Sequence, residues 1–580
     1  MLFHLVSLFL AIGVTPWLLS RLLLQSHSWK IILAGWGPAL ISVNMAVPLT
    51  LHLLSIPIAP NSLALAHTFL AGLLVFIYLT AKQNRKEFEQ KRQEVFPLLI
   101  PAFPLFAILV LPLTHIAGID TYKWQDLAGN IAVEQRISWL IHPLSLLGFT
   151  PRSYSSAQPL VLASIQILGH TGVDWGFYLL SLICGLTGFS GAWILGRHLF
   201  KSDTSAVWLA ILYMFSPVFM RYNYWATGRG LLLALLPVYL LILLKIGFAF
   251  SRWLPASLPA SNRARDGAIH LSGYPDNNET VNFRLLPAWL LMTALLMTSH
   301  KAGVVGACLI PLLFTLSPAL ALLRGRWGLW CAGLLVIAVG LLLADGQPVT
   351  LATRLLTRFG WLLPLAILSI TTAPNQLLMP PFRAMLAVGL ATLILSCTAD
   401  MYGALLALPF IACAATLGLE KINLNRNSRK PRKGNVWLGV ILIPAIVIVL
   451  NQMRDSPSES VYRAAQFIEQ YDPRGPFRIE APGKARYQIQ AYVSGCPRFT
   501  VRSGSAPQLD VHAPPIWTGK LAHDTRQWID YMRGMLELRD THTDWYGNGT
   551  KVYYVTINGQ GTTPQGAKLL FTSGNVSVFE

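Results

Sequence analysis

The stretch GRGLLLALLPVYLLILLKIGFA, residues 228–249, decides what kind of protein this is. Its only charges are Arg229 at one end and Lys245 near the other. The apolar run between them is suited to the hydrocarbon core of a bilayer, which a helix crosses with about 20 residues. Lipid offers no partner to free backbone groups, so the run is predicted to span as a helix whose hydrogen bonds close internally.

Working outward, the same template fits about fourteen stretches. They are 3–23, 32–55, 62–81, 95–116, 174–197, 204–222, 228–249, 286–299, 303–323, 328–345, 358–373, 383–398, 401–419 and 436–451. The first, Leu2 to Leu24, lacks a basic leader and a clean small-residue cleavage site, and reads as a retained membrane helix.

Composition supports this. Charged residues make up 12% of the 580 and hydrophobic ones 53%, with a mean hydropathy of +0.50. A soluble domain carries about twice that charged fraction, so a cytosolic enzyme is excluded. The net charge of +19 sits in loops between apolar runs rather than on one basic face, which excludes nucleic acid as a partner. Five of the six cysteines lie inside apolar runs and there is no CxxC, so neither a disulfide framework nor structural zinc is indicated.

Cations set the orientation. Lys82, Arg85, Lys86, Lys91 and Arg92 follow the third segment, and Lys421, Arg426, Arg429, Lys430, Arg432 and Lys433 precede the last. Alternating the segments puts both groups on one side, together with Arg197 and Lys201, Arg252, Arg263 and Arg265, and Arg324 and Arg326. By the positive-inside rule that side is cytoplasmic. The N-terminus, residues 117–173 and everything from about 452 then lie outside. The apolar piece Gln158 to Leu168 is too short to span and reads as a helix on the outer membrane surface. Cysteines replacing Glu89 and Arg429 are expected to resist an impermeant thiol reagent in intact cells, while one replacing Ser505 reacts. Labelling at 429 from outside would invert this orientation.

From Asn451 onward the chain turns polar. Helical periodicity covers Glu459 to Tyr471 and Thr525 to Leu538, and alternation marks strands at Phe477 to Glu480, Lys551 to Ile557 and Lys568 to Phe571. The predicted fold is mainly α: a polytopic bundle of about 12–14 transmembrane helices with a C-terminal extracytoplasmic α/β domain. The parts are N-terminal helices 1–94, a core of 95–451 with its outer loop 117–173, and the domain 452–580.

The outer loop holds candidate chemistry. Asp120 comes directly after a membrane segment and Asp126 follows six residues later. A carboxylate at that level can take a proton from an acceptor hydroxyl or hold a divalent metal; an Asp there also simply caps a helix in water. Arg152, Arg221, Arg229, Lys301, Arg354 and Arg358 break the positive-inside trend. An arginine fork suits a lipid phosphate, although such residues also snorkel to headgroups. Arg354 and Arg358 share a helix face by spacing. His300 sits at an outer helix end beside Lys301, and Asp400 lies in another outer turn. Trp124, Trp139, Tyr154, Tyr222, Tyr224 and Trp225 suit either a sugar-binding rim or a membrane-interface belt.

The order of these features resembles the GT-C superfamily of polytopic glycosyltransferases. The matching pieces are GIDTYKWQD with Asp120, PRSYSSAQPLVLASIQILG, GAWILGRHLF, RYNYWATGRGLLLALLPVYLLILL and MTSHKAGVVGACLIPLLF. The ends TKVYYVTI and LLFTSGNVSVFE are similar to outer-domain strands of its YfhO-like and mannosyltransferase-like branches. The resemblance implies inverting transfer of a sugar from a polyprenyl-phosphate donor to a glycan, lipid or protein acceptor at the outer face of a bacterial plasma membrane. Asp120 would then be the base or acceptor-orienting group. Asp126 would help it or ligate a metal, a place Glu134 or His142 could equally fill. Arg152, Arg221, Arg229, Arg354 and Arg358 would hold the phosphate, and Tyr154, His300 and Lys301 would contact sugar or acceptor. The rival reading is a transporter or flippase with a cargo-binding outer domain. A transporter places its ionisable groups mid-membrane on broken helices, whereas here they gather at one interface.

Overall fold

Helices account for most of the chain. The computed structural model describes residues 2–24, 29–82, 99–111, 115–116, 118–135, 137, 139–142, 146–149, 154–200, 202–224, 226–250, 285–317, 325–343, 347–397, 402–424, 433–454, 456–473, 477–493 and 551–580. The expected helix at 525–538 and Asp400 lie outside these residues.

Where described, each predicted span is mainly helical, but length and straightness differ from expectation. Among the described residues six helices are long and apolar enough to cross a membrane: His4–Leu22, Pro60–Thr80, Val173–Phe200, Gly228–Ile246, Arg326–Leu343 and Tyr402–Glu420. Two bent pairs raise this to eight. The stretch 204–222 is the pair Asp203–Met214 and Pro217–Tyr224, bent by 55°; the stretch 358–373 belongs to Pro348–Phe359 and Leu362–Thr372, bent by 96°. Gly360, at φ +53°, makes the second break, a backbone conformation that glycine adopts without strain. Leu286–Ser299 and Lys301–Leu316 are short apolar helices. The chain is a multi-pass integral membrane protein.

Exposed apolar side chains such as Phe69, Phe76, Trp327 and Leu342 make the surface that meets lipid. Between helices small residues permit close approach: a side chain on Gly196 of Val173–Phe200 would come within 2.7 Å of the Ala206 Cα on Asp203–Met214. The first helix is interrupted by a π-turn at Leu10–Val14. Its displaced carbonyls are satisfied from Trp29–Leu53: Asn44 Nδ2 donates to the Ala11 carbonyl at 3.2 Å and Trp36 Nε1 to that of Ile12 at 2.9 Å.

The short segment expected on the membrane surface forms the helix Ala157–Gly169, but protein covers it on all sides, from Ala157 through Ile165. It packs against the helices Trp29–Leu53, Ile119–Glu134 and Val173–Phe200. Its polar groups bond inward: Ser164 Oγ donates to the Asn44 carbonyl at 3.2 Å and Gln166 Nε2 to Gln125 Oε1 at 2.9 Å. The stretch 117–173 also holds a sheet that the alternation pattern did not reveal. Strands β1 (Trp139–His142), β2 (Leu146–Phe149) and β3 (Tyr154–Ser155) pair antiparallel in that order.

The C-terminal unit has its own core. Strands β4 (Phe477–Glu480), β5 (Lys551–Ile557), β6 (Leu569–Ser573) and β7 (Val576–Phe579) lie in the order β4-β5-β7-β6. The β4–β5 pair is parallel and the others antiparallel. The helix Glu459–Tyr471, capped by Ser458 Oγ, covers the sheet. Val461, Ala464, Ile468, Phe477, Ile479, Tyr553, Val555 and Val578 fill the space between. The predicted strands at 477–480 and 551–557 are found residue for residue.

Candidate functional site at one end of the bundle

The centre of the candidate site is the turn between Pro217–Tyr224 and Gly228–Phe250. Asn223 and Ser181 exchange two bonds, Asn223 Nδ2 to the Ser181 carbonyl at 3.0 Å and Ser181 Oγ to the Asn223 carbonyl at 2.6 Å. Gln158 Nε2 donates to the Ala226 carbonyl at 2.8 Å. Together these hold Ala226 at φ +41°, a left-handed conformation that costs a non-glycine residue about 1–3 kcal/mol. Glycine is needed on either side of Arg229. A side chain on Gly228 would meet Trp124 at 2.9 Å, and one on Gly230 would meet the Tyr222 carbonyl at 2.6 Å. The turn therefore sets Gly228, next to Arg229, beside Trp124 of the helix Ile119–Glu134. Pro217–Tyr224 also packs on Lys433–Met453, and the helix Ile119–Glu134 beside Gly228 packs on Ala485–Ala491 of the C-terminal unit, so the site lies at that end of the bundle.

Cations from three distant stretches meet here. The Arg229 guanidinium carbon stands 5.1 Å from the Tyr222 ring and 5.9 Å from that of Tyr402; that of Arg221 stands 5.9 Å from Tyr222. Arg354, Arg221 and Tyr222 all lie close enough to Arg358 to act on its charge. Arg354 Nη1 donates to the Cys397 carbonyl at 2.9 Å, and Arg358 Nη1 donates to that of Ser396. These carbonyls end the helix Pro380–Ser396, where cations are favoured and backbone acceptors lack partners within the helix. Arg358 is 5% exposed and so faces protein, while Arg354 is half-buried.

His300 joins the group through Tyr402, their rings 5.2 Å apart. Its Nδ1 accepts from the Ala302 amide at 3.1 Å, capping Lys301–Leu316, which leaves the proton of the neutral ring on Nε2. Burial, then the charges of Arg229 and Lys301, hold its pKa well below the ordinary imidazole value. His300 is therefore a neutral donor among cations at neutral pH.

Of the residues singled out from sequence, Arg221, Arg229, His300, Lys301, Arg354 and Arg358 come together. Arg152 lies outside the described residues. Tyr154 is in β3, but its side chain is outside the described set, as are those of Asp120, Asp126, Glu134 and His142. The backbone places Asp120 second in the helix Ile119–Glu134, one turn before Trp124 and so on the face that Trp124 turns to Gly228. Among the described residues no three His, Cys, Asp or Glu side chains are grouped to hold a metal. Tyr402 was missed, although it lies two residues after Asp400 in the same TADMYG turn. Asp174 and Tyr492, described below, were also missed.

No family model matches the chain. Over 129 residues it is 33% identical to the putrescine export system permease protein SapB of Escherichia coli K12. The peptide transport system permease protein SapB of Escherichia coli O157:H7 matches to the same degree. The match takes in 21% of this chain and 36% of those relatives, so the chain spans about a third of their length. Among solved structures, the oligosaccharyltransferase of Archaeoglobus fulgidus, crystallised with zinc and sulfate, is similar at a TM-score of 0.43 and 14% identity, over 79% of this chain and 68% of that one.

Proposed function

We propose that the chain is a membrane glycosyltransferase of the GT-C kind, which moves a sugar from a polyprenyl-phosphate donor to an acceptor at the outer membrane face. The observation that carries this reading is the gathering of Arg221, Arg229, Lys301, Arg354 and Arg358 around Tyr222 and Tyr402, beside the helix of Asp120. A cluster of fixed cations suits a phosphate at the bilayer surface, and it favours the transition state in which that phosphate departs with its electron pair. Arg354 and Arg358, each donating to a helix end, are preorganised for this. His300, neutral with Nε2–H, adds a donor that brings no further charge.

In the transfer, the acceptor hydroxyl gives its proton to the Asp120 carboxylate while its oxygen bonds to the anomeric carbon from the face opposite the phosphate. The bond from that carbon to the phosphate oxygen breaks, and polyprenyl phosphate leaves. The anomeric configuration inverts. The donor enters laterally from lipid, and the C-terminal unit covers the acceptor side.

One observation favours the transport reading: the partial SapB likeness is accompanied by His67, fully buried in Pro60–Lys82 with neither ring nitrogen bonded among the described residues. A buried ionisable side chain in a membrane helix is a mark of transporters. Mass spectrometry of glycans and lipids from cells lacking the chain separates the two. The enzyme reading expects one sugar to be missing from a glycan or lipid product while its polyprenyl-phosphate form accumulates. Unchanged products with altered solute content would support transport.

A further inference from the structure

A polar joint ties the C-terminal unit to the bundle at the start of the helix Ile119–Glu134. Asp174, in the first turn of Val173–Phe200, receives three donors on one carboxylate. Oδ1 accepts from the Ile116 amide at 2.9 Å and from the Tyr492 hydroxyl at 2.7 Å, and Oδ2 lies 3.1 Å from His115 Nδ1. A carboxylate only accepts, so Nδ1 carries the proton. The Ile116 amide is shared with the Tyr492 oxygen at 3.1 Å. The Ile116 carbonyl accepts from the Tyr122 hydroxyl at 2.9 Å, which in turn receives Gln488 Nε2 at 3.4 Å. Ser456 Oγ donates to the His115 carbonyl at 2.8 Å, and the Tyr462 ring stacks on His115 with centroids 3.7 Å apart.

Both backbone groups of Ile116 are thus fixed, one by the bundle and the C-terminal unit together and one by the helix that follows. Gly118, at φ 92° and ψ 135°, then turns the chain into that helix, and Asp120 is its second residue. Three residues separate the pinned residue from Asp120. Burial and the charge of Asp174 push the Tyr492 phenol far above its ordinary pKa, so it remains a donor.

We propose that Asp174 and Tyr492 are positioning residues that set the place of Asp120, so that the C-terminal unit completes the site without entering it. This rests on the reading of Asp120 as the base. The partners come from segments 318 residues apart, and their juxtaposition is a product of the fold alone.

The test uses the full chain in detergent or native membranes, with Tyr492→Phe as the first variant and Asp174→Asn as the second. Phenylalanine keeps the ring contacts with Tyr462 and His115 and removes only the hydroxyl. Hydrogen exchange is expected to quicken in peptides covering 116–128 and to stay unchanged in β5, which checks folding. Sugar transfer is expected to show kcat lowered about tenfold or more, since a hydrogen bond to a charge is lost, with KM for the polyprenyl-phosphate donor unchanged. Unchanged exchange at 116–128 would overturn the proposal. Faster exchange with unchanged kcat would also overturn it, leaving the joint as a fastening only. No transfer by the wild-type chain would instead defeat the enzyme reading and the positioning role with it, and that control distinguishes the two failures.

Discussion

Asp120→Asn is expected to lower sugar transfer at least about a hundredfold, the lower end of what general acid–base catalysis contributes. The substitution keeps size and hydrogen-bonding shape and removes charge and basicity, so a carboxylate that takes the acceptor proton cannot be replaced by it. Protein level is expected to hold. Asp120 is second in its helix, where a negative charge is worth only about 0.3–1 kcal/mol against the helix dipole. The measurement is transfer in membranes from cells lacking the native copy, with protein quantified in parallel. Asp126 lies on the other side of the helix from Trp124 by spacing, one turn after Tyr122 and toward the joint, so Asp126→Asn is expected to have the smaller effect. Wild-type transfer by Asp120→Asn would remove that residue from the mechanism.

The second large effect concerns the arginines, and the fold divides them. Lysine keeps the charge and loses the planar fork. For Arg221→Lys and Arg229→Lys the expected loss in rate is about ten- to a hundredfold, from one hydrogen bond to a charged group at about 1.5–3 kcal/mol. Thermal stability is expected to change little. Arg354 and Arg358 also hold the end of Pro380–Ser396. Arg358→Lys is therefore expected to lower both the rate and the unfolding temperature, since Arg358 is buried and its donor serves a helix terminus. Rate and thermal unfolding measured side by side separate the two roles. Full activity in all three variants would reduce the cluster to helix capping and lipid anchoring.

Much of this was legible in the sequence because the underlying rules are local. An apolar run the length of a bilayer forms a helix whatever surrounds it, and the alternation in KVYYVTI gives β5 directly. The spacing of Arg354 and Arg358 placed them on one face, and they act at one helix end. What was lost depended on contacts between distant segments. The span read at 358–373 begins two residues before Gly360, and nothing in the apolar pattern showed the helix Pro348–Phe359 meeting it at 96°. Gln158 to Leu168 was read as a surface helix because it is apolar but too short to span, yet its Gln and Ser side chains bond to other segments inside the bundle. His115, Asp174 and Tyr492 show no shared motif, and their joint exists only after folding.

The central claim, that the cation cluster holds a lipid-linked phosphate, is tested most directly by native mass spectrometry of the purified full-length chain with polyprenyl phosphate and, separately, with the polyprenol lacking phosphate. The expected result is retention of polyprenyl phosphate by the wild-type chain, little retention of the alcohol, and loss of that preference when Arg221 and Arg229 are both changed to Gln. Equal retention of the two lipids, or an unchanged preference in the double variant, would contradict it.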